Sequence, residues 1–78
     1  MRKICVICEY GWIVLGNVAG GNDEYLLLTE SAVVRSWSNG RGIGGIAKEE
    51  FKDEYILDEI GDVEINKDKI LFVIPCEW

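Results

Sequence analysis

Short apolar runs, many of them β-branched, alternate with turns along the whole chain, and this pattern restricts the folds open to it. The clearest turn is Ala-Gly-Gly-Asn-Asp at 19–23, because glycine and asparagine tolerate positive φ and aspartate satisfies local backbone donors. Runs of this length between such turns predict strands. We therefore expect a mainly β fold of about six or seven short, mostly antiparallel strands, curled into a small barrel or sandwich with one short helix.

The character of each run predicts its place in the sheet. The first run is apolar on both alternating faces, which predicts burial on both sides. Val63 to Ile65 alternates like a half-exposed edge strand, whereas the last run is apolar throughout and is expected to be central until Pro75 ends it. The strands are expected at 3–10, 12–18, 24–29, 32–37, 55–57, 63–65 and 70–74.

One segment has helical rather than strand spacing. Ile43, Ile46, Ala47 and Phe51 lie at intervals that place them on one face of a helix. Because glycines lower helix stability by up to about 1 kcal/mol each relative to alanine, the pair at 44–45 predicts a helix of about two turns held by packing.

Chain length and apolar content together predict self-association. With 78 residues the chain has room for a single domain, 1–78, whose core must be thin. Yet 49% of its residues are hydrophobic, so part of that apolar surface is expected to be covered by another copy. The predicted assembly is a homo-oligomer.

The charge balance bears on partners. Fourteen acidic and eight basic residues give a net charge of −6, which repels nucleic acid phosphates, so we expect no general nucleic-acid binding. No apolar run approaches the length of a membrane span, and no secretion signal is recognisable. The expected location is the cytoplasm, with no membrane partner.

The three cysteines are interpreted as packing residues. Cys5 and Cys8 have the spacing of a metal or redox motif, but they lie within a strand-like run that points residues three apart to opposite faces. The chain has no histidine and no second ligand pair, so reduced thiols packed as small hydrophobic groups, Cys76 included, are the prediction. No cofactor is expected.

Most of the recognisable chemistry lies between Val33 and Ala47. An arginine guanidinium donates two hydrogen bonds to phosphate, and glycine amides at the start of a helix bind an anion. An indole ring offers a face on which a base stacks, and Tyr10 or Tyr25 could supply a second face. We therefore predict a site for a small anionic or nucleotide ligand, formed by Arg35, Trp37, Ser38, Asn39, Arg41, Gly42, Gly44 and Gly45.

A plainer interpretation of the same segment stays open. In it Trp37 is a core residue, Arg35 pairs with a nearby carboxylate, and the glycines only turn the chain. The acidic residues at 62–68 resemble a calcium loop but lack its glycine and its final ligand, so an acidic edge strand is expected there. Without histidine, a serine or cysteine nucleophile lacks its usual base, and the protein is not expected to be an enzyme.

A family resemblance rests on Arg35-x-Trp37, the small-residue segment 42–47, the pattern Leu57-Asp58-x-x-Gly61 and the closing Pro75-Cys76. Over roughly 29–76 the chain resembles a group of short uncharacterised proteins encoded by bacteriophages, prophages and gut-type bacteria. The resemblance implies a phage or mobile-element origin and a non-enzymatic role. Gly42 stands where some members of the group carry serine.

Three functions are compatible with these observations. The first is a counter-defence protein of phage type that sequesters a nucleotide-derived signal in a host cytoplasm. The second is an acidic inhibitor of a host nucleic-acid-handling protein, which would present Asp58, Glu59, Asp62, Glu64 and Asp68 in place of phosphates. The third is a structural part of an assembly whose apolar strands are its contact surface.

Overall fold

The fold is a single five-stranded antiparallel sheet, which confirms the predicted mainly β class. It is seen in a computed structural model that describes residues 2–37, 40 and 42–78. The strands are β1 (Lys3–Cys8), β2 (Ile13–Gly21), β3 (Tyr25–Trp37), β4 (Tyr55–Asn66) and β5 (Ile70–Pro75). Their order in the sheet is β4-β3-β2-β1-β5, so β4 and β5 are the two edges.

The connection between the two edge strands shows that the sheet is curled. A flat sheet of five strands separates its edges by about 19 Å, because neighbouring strands lie about 4.8 Å apart. The chain passes from Asn66 at the end of β4 to Ile70 at the start of β5, a step that spans at most about 14 Å. Register shifts between β1 and β5, β2 and β3, and β3 and β4 supply the bends that bring these ends together.

The strands are longer and fewer than the sequence predicted. The expected third and fourth strands form one strand, β3, because Glu30 adopts a φ of 49° and is absorbed as a bulge rather than ending the strand. Likewise β4 runs through the expected turn at 58–62, where Gly61 takes a φ of 75°. Glu30 and Gly61 therefore bend β3 and β4, and neither residue ends its strand.

The predicted helix over 43–51 is not formed as one element. Two 3-10 segments, Ile43–Gly45 and Glu49–Glu54, stand in its place, and Lys48 between them has extended backbone angles. The C-terminal residues hold this region. The Trp78 Nε1–H donates to the Ile46 carbonyl at 3.0 Å, and the Glu77 amide donates to the Ala47 carbonyl at 2.8 Å.

Two hydrophobic clusters cover β1, one on each of its faces. Cys5 and Ile7 belong to a first cluster with Leu15, Ile46 and Tyr55. Residues on the opposite face, Ile4, Val6 and Cys8, belong to a second cluster with Val14, Leu28 and Ile65. The prediction that the first strand is buried on both sides is therefore confirmed.

The last strand is not central, contrary to the prediction. It is the edge strand β5, and it leaves Leu71, Phe72 and Val73 exposed by 63%, 50% and 38%. The prediction of an edge strand at 63–65 is confirmed, since these residues lie in β4. Within the part of the chain that the structure describes, no helix is long and apolar enough to cross a membrane.

Candidate functional site

Arg35 is an exposed residue of β3 whose side chain is held by the neighbouring strand. Its Nε–H donates to Asp58 Oδ2 at 3.0 Å, and its Nη2–H donates to Asp58 Oδ1. This forked pair raises the pKa of Arg35, chiefly through the hydrogen bond to Asp58. The guanidinium group is thus engaged by the protein's own carboxylate, as the plainer interpretation of the sequence proposed.

Trp37 lies on a different side of the strand from Arg35. The register between β3 and β4 shifts between Val34 and Ser36, so the simple alternation of side chains is broken there. As a result Trp37 packs half-buried against the same cluster as Val34, while Arg35 faces solvent. Arg35 and Trp37, both assigned to the predicted ligand site, therefore lie on different surfaces of the sheet.

Tyr55 connects Trp37 to the glycine segment, 42–45. The two rings are tilted at 45° with centroids 5.7 Å apart, and the Tyr55 hydroxyl donates to the Gly42 carbonyl at 2.7 Å. Gly42 has a φ of 66°, which favours glycine. The structure therefore brings Trp37 and Gly42 together around a tyrosine that the sequence did not single out.

The two further glycines of the predicted site differ in their exposure. Gly44 is exposed and Gly45 is buried, in a 3-10 segment of three residues that is too short for a helix dipole to attract an anion. Ser38, Asn39 and Arg41 lie outside the described residues. Among the described residues of the predicted ligand site, Arg35 faces solvent, whereas Trp37 packs against the first hydrophobic cluster.

An open groove of about 830 Å³ lies elsewhere, between the start of β1 and the bulged middles of β3 and β4. Lys3 and Trp78 form one side, with the Lys3 ammonium 4.0 Å from the centroid of the indole ring. Glu30–Ala32 and Leu57–Glu59 form the other. Of the described residues that the sequence predicted for the anionic ligand, none lines this groove, whereas Asp58 and Glu59 of the acidic-inhibitor alternative do.

Three turns meet at one region of the molecule. Asn22 Oδ1 accepts hydrogen bonds from the amides of Glu24 and Tyr25, and Asn66 Oδ1 accepts one from Asp68, so both turns are fixed by a side chain. The Lys67 amide donates to the Glu24 carbonyl at 2.9 Å, which joins the β4–β5 turn to the β2–β3 turn.

The β1–β2 turn reaches the same region through an ion pair. The Lys69 ammonium lies 3.7 Å from Glu9, which is part of that turn. Lys67 and Lys69 are both exposed. The three turns therefore bring Lys67 and Lys69 into one region, which also carries the carboxylates of Glu9, Asp23, Glu24 and Asp68.

Among the described residues, no strand pairs with the outer side of either edge strand, β4 or β5. On β5, apolar side chains are exposed beside free backbone donors and acceptors. On β4 the exposed side chains are mixed: Ile56 and Ile60 stand among Asp58, Glu59, Asp62 and Glu64. An edge strand of this kind is a template for pairing with another strand.

The cysteines are arranged as packing residues. Cys5 and Cys8 are buried and free, and burial raises the pKa of Cys5 to about 12 and also raises that of Cys8. A thiol that stays protonated is a poor nucleophile and a poor metal ligand. Among residues 2–37, 40 and 42–78, no group of three cysteine, aspartate or glutamate side chains is placed to hold a metal ion.

The fold is that of Sm proteins. The chain matches a heptameric archaeal Sm protein, described in relation to the eukaryotic snRNP core, with a TM-score of 0.64 and 13% identity over 95% of this chain and 84% of that chain. It also matches the SmAP1 heptamer of P. aerophilum, with a TM-score of 0.67 and 13% identity over 99% of this chain and 81% of that chain. No protein-family model and no curated protein matches the sequence.

This likeness overturns two predictions. The sequence favoured a counter-defence protein that sequesters a nucleotide-derived ligand, or an acidic inhibitor of a host protein, and it argued against general nucleic-acid binding. The fold is instead shared with heptameric Sm proteins, one of which is described in relation to the eukaryotic snRNP core. The prediction from the net charge of −6 rested on a value averaged over the molecule, which does not describe how charge is distributed on its surface. The resemblance to phage-encoded proteins stays a prediction.

Proposed function

We propose that this chain is a non-catalytic subunit of a closed ring of identical copies, of Sm type, that binds RNA. The observation that carries the assembly is the pair of unpaired sheet edges, which differ in chemistry. The solved heptamers with the same fold support it. The predicted homo-oligomer is thereby given a geometry, in which β5 of one copy pairs with β4 of the next.

The charges of β4 disfavour the pairing of two β4 strands. If two β4 strands paired with each other, the carboxylates of Asp58, Glu59, Asp62 and Glu64 would face like charges across the interface. Pairing β4 with β5 instead brings Ile56 and Ile60 against the apolar β5 edge. Because this contact is head to tail, each copy keeps one free edge of each kind until the ring closes.

Mass measurement tests the ring. Native mass spectrometry and light scattering at low micromolar concentration are expected to find one closed species larger than a dimer. Phe72→Glu puts a charge in the centre of the β5 edge and is expected to yield monomers. Ile43→Glu is the matched control, since Ile43 is an exposed apolar residue outside both edge strands.

Two results would contradict the ring. A wild-type protein that stays monomeric would remove the assembly altogether. A species that stops at a dimer would mean that two β5 edges pair and leave β4 free. Circular dichroism of Phe72→Glu separates lost assembly from lost folding.

RNA is the proposed ligand because of the Sm fold together with the lysines at the joined turns. In a ring, each copy adds one such region, so several weak contacts act on one strand of RNA and offset the acidic net charge. Fluorescence anisotropy with short single-stranded RNA is expected to show binding that weakens in Lys67→Ala and Lys69→Ala. Lys52→Ala, an exposed lysine on the 3-10 segment at 49–54, is expected to bind like wild type.

A further inference from the structure

The tip of the β1–β2 hairpin displays two large aromatic side chains. Tyr10 is 94% exposed and Trp12 is 60% exposed. The Cys8 amide donates to the Trp12 carbonyl at 2.8 Å, which closes the hairpin and fixes the backbone on both sides of Tyr10. A ring as exposed as that of Tyr10 gains little from the fold of a single copy.

The backbone at this tip is unfavourable for a tyrosine. Tyr10 has a φ of 63° and ψ of 21°, and Gly11 follows with a φ of 81°. Glycine and asparagine are the residues that adopt two consecutive left-handed conformations readily, whereas a bulky side chain is an outlier there. Residues held in such conformations cluster at ligand-binding positions.

The surroundings indicate what kind of ligand the rings meet. Glu9, in the same turn, is bound by Lys69, so the aromatic tip adjoins the region where Lys67 and Lys69 lie. Exposed rings on a turn that is joined to a lysine match a single strand of nucleic acid, in which bases stack on aromatic faces; the carboxylate of Glu9 already engages the Lys69 ammonium, so stacking is the stronger component. In an acidic molecule with few cations, the stacking component has to supply most of the binding.

We propose that Tyr10 and Trp12 form a base-stacking platform for single-stranded RNA. The proposal rests on the RNA binding proposed above and adds the residues that contact the bases. It also gives the mode of binding: the bases, more than the phosphates, hold the RNA. Binding through the platform therefore depends weakly on salt, because stacking releases no counterions.

A substitution with opposite effects on folding and on binding tests the platform. Tyr10→Asn suits the left-handed conformation, so its melting temperature is expected to equal or exceed that of wild type. Its affinity for a short single-stranded RNA is expected to fall roughly tenfold, as for loss of one base–aromatic stack. Trp12→Thr is expected to weaken binding similarly, and Tyr10→Phe to keep the wild-type affinity.

A probe without bases separates stacking from charge. An abasic oligonucleotide of the same length keeps the phosphates, so wild type and Tyr10→Asn are expected to bind it equally and weakly. Between about 50 and 200 mM salt, the affinity ratio of wild type to Tyr10→Asn is expected to stay constant. Native mass spectrometry checks that each variant has the wild-type oligomeric state.

The outcomes are distinguishable. If wild type binds RNA and the two aromatic variants bind it equally well, the platform is wrong and RNA binding stands. If wild type binds the abasic probe as tightly as RNA, phosphate contacts explain the affinity and the platform is also wrong. If wild type binds neither probe while the ring forms, RNA is not the ligand and both proposals about RNA fall.

Discussion

The Ser31 hydroxyl oxygen lies 2.6 Å from the position that a Cβ atom on Gly16 would occupy, with Leu28 Cβ at 2.9 Å. A side chain at Gly16 would therefore overlap β3. Gly16→Ala is expected to lower the free energy of unfolding by about 1–3 kcal/mol, the usual cost of overpacking. Chemical denaturation measures it, and Gly44→Ala is the control, because a Cβ there meets open space. Equal stability of the two variants would contradict this packing.

Ser31 itself is expected to reduce the stability of the fold. It is 2% exposed, and its hydroxyl oxygen has no hydrogen-bond partner among the described residues. Because a buried unsatisfied hydroxyl costs about 1–3 kcal/mol, Ser31→Ala is expected to raise the free energy of unfolding by about 1 kcal/mol. A loss of stability in Ser31→Ala would show that the hydroxyl makes a favourable bond, for instance to water.

Tyr55→Phe tests the link between β4 and the glycine segment. The variant keeps the ring beside Trp37 but loses the hydrogen bond to the Gly42 carbonyl. We expect a loss of about 1 kcal/mol in unfolding free energy, together with faster amide hydrogen exchange near Gly42. Unchanged exchange there would show that the segment is held by other contacts.

Alkaline pH is expected to destabilise the protein through Cys5. Burial raises the pKa of this thiol from 9.0 to about 12, so the unfolded chain loses its proton first as the pH rises. The unfolded state then binds fewer protons than the native state, and stability falls between these two values. Thermal unfolding at increasing pH measures the effect, which is expected to be smaller in Cys5→Ala. Identical pH profiles would contradict it.

Acidic pH is expected to remove a contribution from Glu77. Its carboxylate accepts a hydrogen bond from the Glu49 amide and another from Lys48, and these bonds lower its pKa below 4.5. Its contribution is complete above pH 4.5 and is lost as the pH falls through the lowered pKa. Glu77→Gln is therefore expected to melt earlier than wild type near neutral pH and together with it in strong acid. Glu50, which is exposed beside Glu49, provides the control: Glu50→Gln is expected to melt at the wild-type temperature at both pH values.

Sequence reasoning succeeded where a local pattern determined the structure. The unbroken apolar character of 4–8 predicted a strand covered on both faces, and the alternation of apolar and acidic residues at 63–65 predicted an edge. It failed at the bulge between Val34 and Ser36, because one inserted residue reverses which side chains share a face. A bulge leaves little local signal, so Arg35 and Trp37 were placed together incorrectly.

The edge position of β5 could not be read from its composition. An edge strand that is covered by another copy is as apolar as a central strand, and only the topology distinguishes them. The exposed tip at Tyr10 did leave a signal. A tyrosine before glycine stands where a tight turn favours asparagine, so the residue type is not explained by the turn.

The position of β1 between the two clusters has a consequence for how the molecule denatures. Its odd and even residues serve opposite faces, so neither cluster keeps its packing partners once this strand detaches. Partial melting that spares one half is thereby disfavoured, and a single all-or-none transition is the expected behaviour of each copy. In a chain this short, both hydrophobic clusters thus depend on the same strand, β1.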